Sequence, residues 1–417
     1  MTVAWAAYRV LTPFLGALAP AARAFGAPEE RRLWGERLGR VTVDQGCHAW
    51  VHAASLGEAG AVGPLARELL AVAPRARLHL TAQTLAGRAR LAELGLSRSL
   101  APLDTPQAVR RFFDCVRPRR LILLETELWP HWLMHARTRG VPVAVVSARL
   151  SERSVGRYRT LGTDFGRRVA ELDAVLCQSA DDRGRWLALG ARPDRTEVVG
   201  NLKHDALPTR DASRAAARAA VGLDCDRPLL VLGSLRPGEG LRLSRAWAHL
   251  PAGLRDLWQV VAVPRHVGAS ADLREEAIQS GGTLIAEGAP RGGAWRWDDR
   301  SGVLNGYYAA ADLAFVGGSL LPYGGHNPIE PAAWGAAVMI GPHHDSQAEA
   351  VRALERHAAI WIARSEAELA GGLEELLSDP ALCLARGRAA RSAVEGLSGA
   401  AARAVARLEA WGLWPAD

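Results

Sequence analysis

One glutamate in a strand-to-helix turn is the strongest candidate for acid–base chemistry in this sequence. Val51-His52-Ala53-Ala54 reads as the end of a strand, and Ser55-Leu56-Gly57-Glu58-Ala59-Gly60 runs into a helical pattern. That spacing puts Glu58 in the first helical turn, where the helix N-terminus favours the carboxylate and holds it ionised, as a general base requires. The same spacing also suits a glutamate that only caps the helix. No GxSxG elbow surrounds Ser55, which argues against a serine nucleophile.

The second half of the chain carries a different chemistry, that of anion binding. Phe315-Val316-Gly317-Gly318-Ser319 leaves a strand, and Gly324-Gly325-His326-Asn327-Pro328-Ile329-Glu330 opens a helix. Paired glycines let backbone approach a ligand, Pro328 suits a first helical turn, and the N–H groups there would cradle a phosphate while Glu330 accepts from ribose hydroxyls. Two further loops should open on the same edge: Gly233-Ser234-Leu235-Arg236-Pro237-Gly238-Glu239 and Val263-Pro264-Arg265-His266. Arg236 and Arg265 could neutralise a phosphate by bidentate contact and Ser234 could donate to it, although surface charge is the plainer reading of both arginines. Ser234, Arg236, Lys203, Gly325 and His326 are therefore candidates for phosphate or sugar contacts. His131 and His135 have the spacing of a metal pair but no HExxH glutamate, so no metal site is expected; His343 and His344 read as ligand-lining.

Such groups need a scaffold that brings loops to one edge. Short apolar runs alternate with amphipathic helical patterns from about residue 48, the mark of βαβ units and parallel sheets. Strands are expected at 49–53, 78–81, 121–124, 143–146, 174–177 and 197–199, then at 229–232, 260–263, 283–286, 313–316, 338–340 and 360–362. Between these sets, residues 207–226 read as a linker plus a surface helix whose arginines form a solvated face. The fold class is α/β: two doubly wound domains, 25–206 and 207–395, with ligands expected in a cleft between them, and a C-terminal helix, 396–417, returning to the first domain.

Composition narrows the partners. Fifty-one Lys and Arg against forty-four Asp and Glu give +7, almost all of it arginine, which suits anionic lipid or phosphorylated substrates. Basic and aromatic residues are not interleaved as in a nucleic-acid groove, so no nucleic acid is expected. Five cysteines without CxxC spacing indicate neither disulfides nor zinc and fit a reducing cytoplasm. Residues 1–24 are largely apolar, but Arg9 interrupts them and Pro13 and Pro20 weaken a long helix. They read as a short anchor or an interfacial helix.

Taken together the motifs resemble bacterial 3-deoxy-D-manno-octulosonic acid (Kdo) transferases, nearly end to end. The resemblance rests on Trp34-Gly-Glu-Arg-Leu-Gly39, His52-Ala-Ala-Ser-Leu-Gly-Glu58, Thr81 to Gly87, Ala101-Pro-Leu-Asp-Thr-Pro106, Glu125-Thr-Glu-Leu-Trp-Pro130, Ala148 to Ser154, Gly200-Asn-Leu-Lys203, Pro264-Arg-His266 and Phe315 to Glu330. It implies an inverting glycosyltransferase of GT-B architecture that moves Kdo from CMP-Kdo to a lipid A precursor, lipid IVA, at the cytoplasmic face of the inner membrane. It implies that Glu58 deprotonates the acceptor hydroxyl. It also implies that Pro264, Arg265, the Gly302-Val303-Leu304 turn and Asn327, Pro328, Ile329 and Glu330 bind CMP. No cofactor beyond the donor is implied, since a monophosphate leaving group offers no pyrophosphate to bridge. Three positions depart from the family pattern: Leu235-Arg236 stands for Thr-His, Val303 for Glu and Ser147 for Asn. Arg236 is the departure expected to alter donor placement. Two other readings stay open, a GT-B enzyme with another nucleotide-sugar donor and a lipid-binding protein without turnover.

Overall fold

The protein is described by a computed structural model covering residues 3–22, 28–43, 45–159, 163–206, 213–279 and 281–415. It divides into two compact units, one made of residues 1–206 and 397–417, the other of 207–396.

The first unit is built on seven parallel strands: β1 Ala49–Ala53, β2 Leu78–Ala82, β3 Ser97–Leu100, β4 Leu121–Leu124, β5 Val143–Ala148, β6 Ala174–Cys177 and β7 Thr196–Val198. Their order is β3-β2-β1-β4-β5-β6-β7. Runs such as Leu-Ile-Leu-Leu in β4 are buried throughout because helices cover both faces of a parallel sheet. The second unit repeats the plan with β8 Leu229–Leu235, β9 Gln259–Pro264, β10 Leu284–Ile285, β11 Trp295–Trp297, β12 Leu313–Val316, β13 Ala337–Ile340 and β14 Ile360–Ile362, in the order β10-β11-β9-β8-β12-β13-β14. In each sheet the winding reverses once, between β1 and β4 and between β8 and β12. Ligands of such sheets bind beyond the carboxyl ends of the strands at that reversal.

The sequence did not announce β3 and β11. β3 reads Ser-Arg-Ser-Leu and lies at an edge, where polar residues are tolerated; β11 reads Trp-Arg-Trp, with Arg296 drawn inward to donate to the carbonyl of Val221 at 2.8 Å. Three expectations need correction. Helix Val3–Ala22 runs through Pro13 and Pro20, because packing on one side holds it despite two lost backbone donors. Residues Arg214–Ala220 form the expected surface helix, with Ala215, Ala216, Ala219 and Ala220 exposed, but its arginines are not a solvated face. Arg218 is buried and paired with Asp312, Arg214 pairs with the same carboxylate at 3.3 Å, and Asp312 also accepts from Leu229 N–H at 2.8 Å, so these arginines tie the helix to the sheet. Arg23 and residues 207–212 of the expected linker lie outside the described residues. The C-terminal segment is two helices, Pro380–Leu397 and Ala400–Ala410, broken at Gly399 with φ +84°.

That break carries the chain back to the first unit. Asp205 accepts from the N–H groups of Gly399 and Ala401, both at 2.6 Å, and so caps the returning helix. Helix Ala400–Ala410 packs against helix Leu56–Val72, and buried Trp414 donates from Nε1 to Leu69 O at 3.1 Å. The helix that carries Glu58 in its first turn is thereby clamped from behind.

Candidate active site

Glu58 sits where β1 ends and the helix Leu56–Val72 begins, in a reciprocal cap. Ser55 Oγ accepts from Glu58 N–H at 3.3 Å, while the Glu58 carboxylate accepts from Ser55 O–H and from Ala54 N–H, both at 2.9 Å. The capping reading and the base reading therefore coexist, since the cap fixes the side chain in one orientation. The helix end is not the only influence on the ionisation of Glu58. Burial raises its pKa, the nearby Glu125 charge raises it further, and these outweigh the two donors. A carboxyl held above its ordinary range is a better proton acceptor near neutrality than an exposed one.

Glu125 and Glu127 leave β4, the strand beside β1, and sequence reading had noted them only as motif letters. Glu125 takes a left-handed φ of +57° and receives Lys203 Nζ at 2.5 Å. Lys203, expected as a possible phosphate or sugar contact, lies in the first unit and pairs there with Glu125. The missed signal was compositional: Lys203 is the single lysine in a chain with 51 cationic residues. Glu127 accepts from Trp129 Nε1 at 2.7 Å and lies 3.7 Å from His52 Nε2. Burial opposes its ionisation, but these two neighbours prevail and lower its pKa. Trp50 Nε1 donates to Thr81 Oγ1 at 2.7 Å, and the same hydroxyl lies 2.9 Å from Nδ1 of the His52 imidazole. Burial keeps that imidazole neutral.

Ser147, at the β5 irregularity, also has a left-handed φ of +55°, and its Oγ accepts from Leu202 N–H at 3.2 Å, anchoring the turn that carries Lys203. An asparagine tolerates that backbone better than serine does, which gives the departure from the family residue a physical content. Thr12 Oγ1 meets His131 Nε2 at 2.7 Å and Tyr8 stacks on its ring.

This arrangement predicts a pH effect. Glu125→Gln removes a charge that raises the Glu58 pKa, so the pKa falls and Glu58 is deprotonated at lower pH. The acid limb of the kcat/KM profile should move to lower pH, by an amount read directly from the profile; an unmoved limb would mean that Glu58 is not the titrating base.

In the second unit the anticipated loops do converge. Arg265 N–H donates to Leu235 O at 2.9 Å, Gly325 N–H to Gly318 O at 2.7 Å and His326 N–H to Gly317 O at 3.1 Å, which knits the segments after β8, β9 and β12 at one sheet edge. Gly317 is obligatory, because a Cβ there would come within 2.5 Å of Ser234 O. Two residues without an assigned role hold this edge together. Glu239 is buried and accepts from four backbone N–H groups, those of Arg236 (2.8 Å), Gly318 (2.7 Å), Ser319 (2.9 Å) and Leu320 (2.9 Å). Tyr308 is buried with its hydroxyl under Gly233, where a Cβ would meet it at 2.2 Å, and it feels the charges of Glu330 and Arg265.

The segment Asn327–Pro328, expected to cradle a phosphate, precedes a short helix. The helix there, Ile329–Ala333, has five residues; Pro328 lacks an N–H, and Asn327 Oδ1 takes the Ile329 N–H at 3.1 Å. Arg265 is exposed, and its charge reaches Glu330 and His326. Glu330 keeps an exposed face, yet crowding raises its pKa against the opposing effects of Asn327 and Arg265. Gly302, with φ +84°, precedes Val303 and Leu304, which pack with Trp334 on the apolar cluster around Tyr307 and Tyr308. Trp334 Nε1 reaches Asn305 at 2.9 Å, which brings this turn beside the Ile329–Ala333 helix. Val303 therefore contributes packing where a glutamate would contribute charge.

Residues 32–206 match the family model described as 3-Deoxy-D-manno-octulosonic-acid transferase (kdotransferase). A 3-deoxy-D-manno-octulosonic acid transferase of Bordetella pertussis is 36% identical over 91% of this chain and 90% of its own length. The chain belongs to the Kdo transferase family. Its counterpart in Haemophilus influenzae is 31% identical over 79% of each chain. In fold this Kdo transferase family member is similar to UDP-GlcNAc 2-epimerase from Neisseria meningitidis bound to UDP-GlcNAc, with a TM-score of 0.63 and 12% identity over 87% of this chain and 99% of that one. The α/β GT-B architecture expected from sequence is the one observed, and the protein is a glycosyltransferase of Kdo.

Proposed function

We propose that the protein transfers Kdo from CMP-Kdo to a lipid A precursor of the lipid IVA type, with inversion, at the cytoplasmic face of the bacterial inner membrane. The acceptor hydroxyl gives its proton to Glu58 as its oxygen bonds to the anomeric carbon of Kdo. The bond from that carbon to the phosphate oxygen breaks, and CMP leaves with the electron pair. Developing positive charge on the sugar is offset by the carboxylates at the β4 end, and negative charge on CMP by Arg265. The observation that most supports this reading is the double-capped Glu58, with its pKa raised by burial and by Glu125, at the reversal point of the first sheet.

A lipid acceptor calls for contact with a membrane surface. Among the described residues, no helix is long and apolar enough to cross a membrane. Helix Val3–Ala22 instead has two sides. Tyr8 bonds Asp104, in the loop after β3, and Thr12 meets His131, in the helix Pro130–Thr138 after β4, whereas Val10, Leu11, Phe14 and Leu15 are each more than half exposed. The exposed side suits an interfacial position, near the sheet edge that carries Glu58. Phe14→Glu with Leu15→Glu should lower binding to anionic vesicles by about tenfold or more, since burying each side chain is worth roughly 1.5–3 kcal/mol. Unchanged sedimentation with vesicles would place the membrane contact elsewhere.

The reaction itself is tested by incubating the full chain with lipid IVA and CMP-Kdo generated in situ, and following product mass. Gain of one or more Kdo units is expected. A folded protein that binds CMP without transfer would indicate another acceptor or an inactive binder; preference for UDP over CMP would indicate another donor.

A further inference from the structure

We propose that Arg236 recognises the carboxylate of the transferred sugar acid, making it the residue that selects an ulosonic acid donor. This rests on the reading of a CMP-linked donor given above. Such a donor carries two anions, the phosphate and the sugar carboxylate, and the second unit presents two arginines on adjacent loops at one sheet edge.

Arg236 differs from Arg265 in how firmly it is placed. Its guanidinium lies over the Tyr323 ring at 4.6 Å, its backbone N–H is held by Glu239 at 2.8 Å, and its Nε is buried with no hydrogen-bond partner among the described residues. The loop is pinned again one turn on, where Gly238 N–H donates to both Glu276 oxygens at 2.8 and 2.9 Å and Tyr323 O–H donates to Pro237 O at 3.1 Å. Glu239 is engaged by four backbone donors, and no ion pair joins it to the Arg236 side chain among the described residues. His326 stands against Gly318 in the same corner, its Nε2 also buried and unpartnered. Burial and then the charges of Arg265, Arg236 and His266 push its pKa down to about 4, so the corner holds concentrated positive charge around a neutral imidazole.

A guanidinium stacked on an aromatic face has that face covered and offers its N–H edge, which matches the planar two-oxygen fork of a carboxylate. The cost of ordering the side chain has already been met in the free protein. Arg265, exposed and within reach of Glu330 and Tyr308, is left to the phosphate.

The test compares two readouts in Arg236→Ala and Tyr323→Leu: the Kd for CMP by calorimetry and the KM for CMP-Kdo generated in situ. In Arg236→Ala the donor KM should rise about 10- to 100-fold, the usual size for a charge-assisted pair, while the CMP Kd stays within about twofold. Tyr323→Leu keeps the charge but removes the platform, and should raise the donor KM by a smaller factor with CMP binding again intact. It carries the test if the alanine variant does not fold. Parallel losses for CMP and CMP-Kdo would make Arg236 a phosphate ligand and overturn the assignment, as would no change in either. Failure of the wild type to bind CMP would overturn the donor reading itself, whatever the variants did.

Discussion

Glu58→Gln is expected to lower kcat by about 10²- to 10⁴-fold, the range contributed by a positioned general base, with CMP affinity unchanged within about twofold. Glutamine retains a carbonyl oxygen that can accept from Ala54 N–H or Ser55 O–H, so the cap and the helix Leu56–Val72 persist while proton acceptance is lost. Thermal denaturation close to wild type would show that persistence. A variant with wild-type kcat would remove Glu58 from the mechanism and turn attention to Glu125 and Glu127. Glu125→Gln should behave differently, because Glu125 acts through the Glu58 pKa and through Lys203. Its main signature is the displaced pH profile, and the two variants can be told apart.

Arg265→Ala should lower kcat/KM for the donor by about 10²- to 10³-fold, the usual loss when one preorganised donor to a developing anion is removed. The CMP Kd should rise with it, which separates Arg265 from Arg236. Arg265 is exposed and its charge bears on Glu330, Tyr308 and His326, so removing it leaves the fold intact while taking away the positive charge proposed to meet the phosphate. Calorimetry with CMP decides the case: retained affinity would place the phosphate elsewhere on the edge. One secondary effect has a fixed sign. Loss of the Arg265 charge lets the His326 pKa rise toward its ordinary value, detectable by NMR titration of the imidazole.

Several motif residues that identify the family do mechanical rather than chemical work. Glu36 accepts from Arg88 at 2.9 and 2.8 Å and from Leu100 N–H at 2.6 Å, and Arg37 donates to Gln83 Oε1 at 2.8 Å, stitching helix Pro28–Arg37 to the ends of β2 and β3. Asp104 accepts from His131 and Trp132 N–H, both at 3.2 Å, capping the helix that follows β4. Such residues are recognisable in a sequence as a pattern, but their partners are distant in the chain.

By itself the sequence determined the parallel α/β class and most of the strands, because those depend on local runs of buried apolar residues between helical periods. It also located Glu58 and the glycine-rich segment before Glu330, because a strand-to-helix turn has a local signature in caps, glycines and proline. Only the tertiary structure decided the electrostatics. The raised pKa of Glu58 comes from burial and from Glu125 on a neighbouring strand, and Lys203 meets Glu125 across 78 residues of chain. The same holds for Arg218, which reads as solvated in an Ala/Arg run yet is drawn to Asp312, and for Arg236, whose position depends on Tyr323 and Glu239 together. Local periodicity fixes which residues form an element. Burial and charge depend on what the fold brings within a few ångströms, and no spacing along the chain encodes that distance.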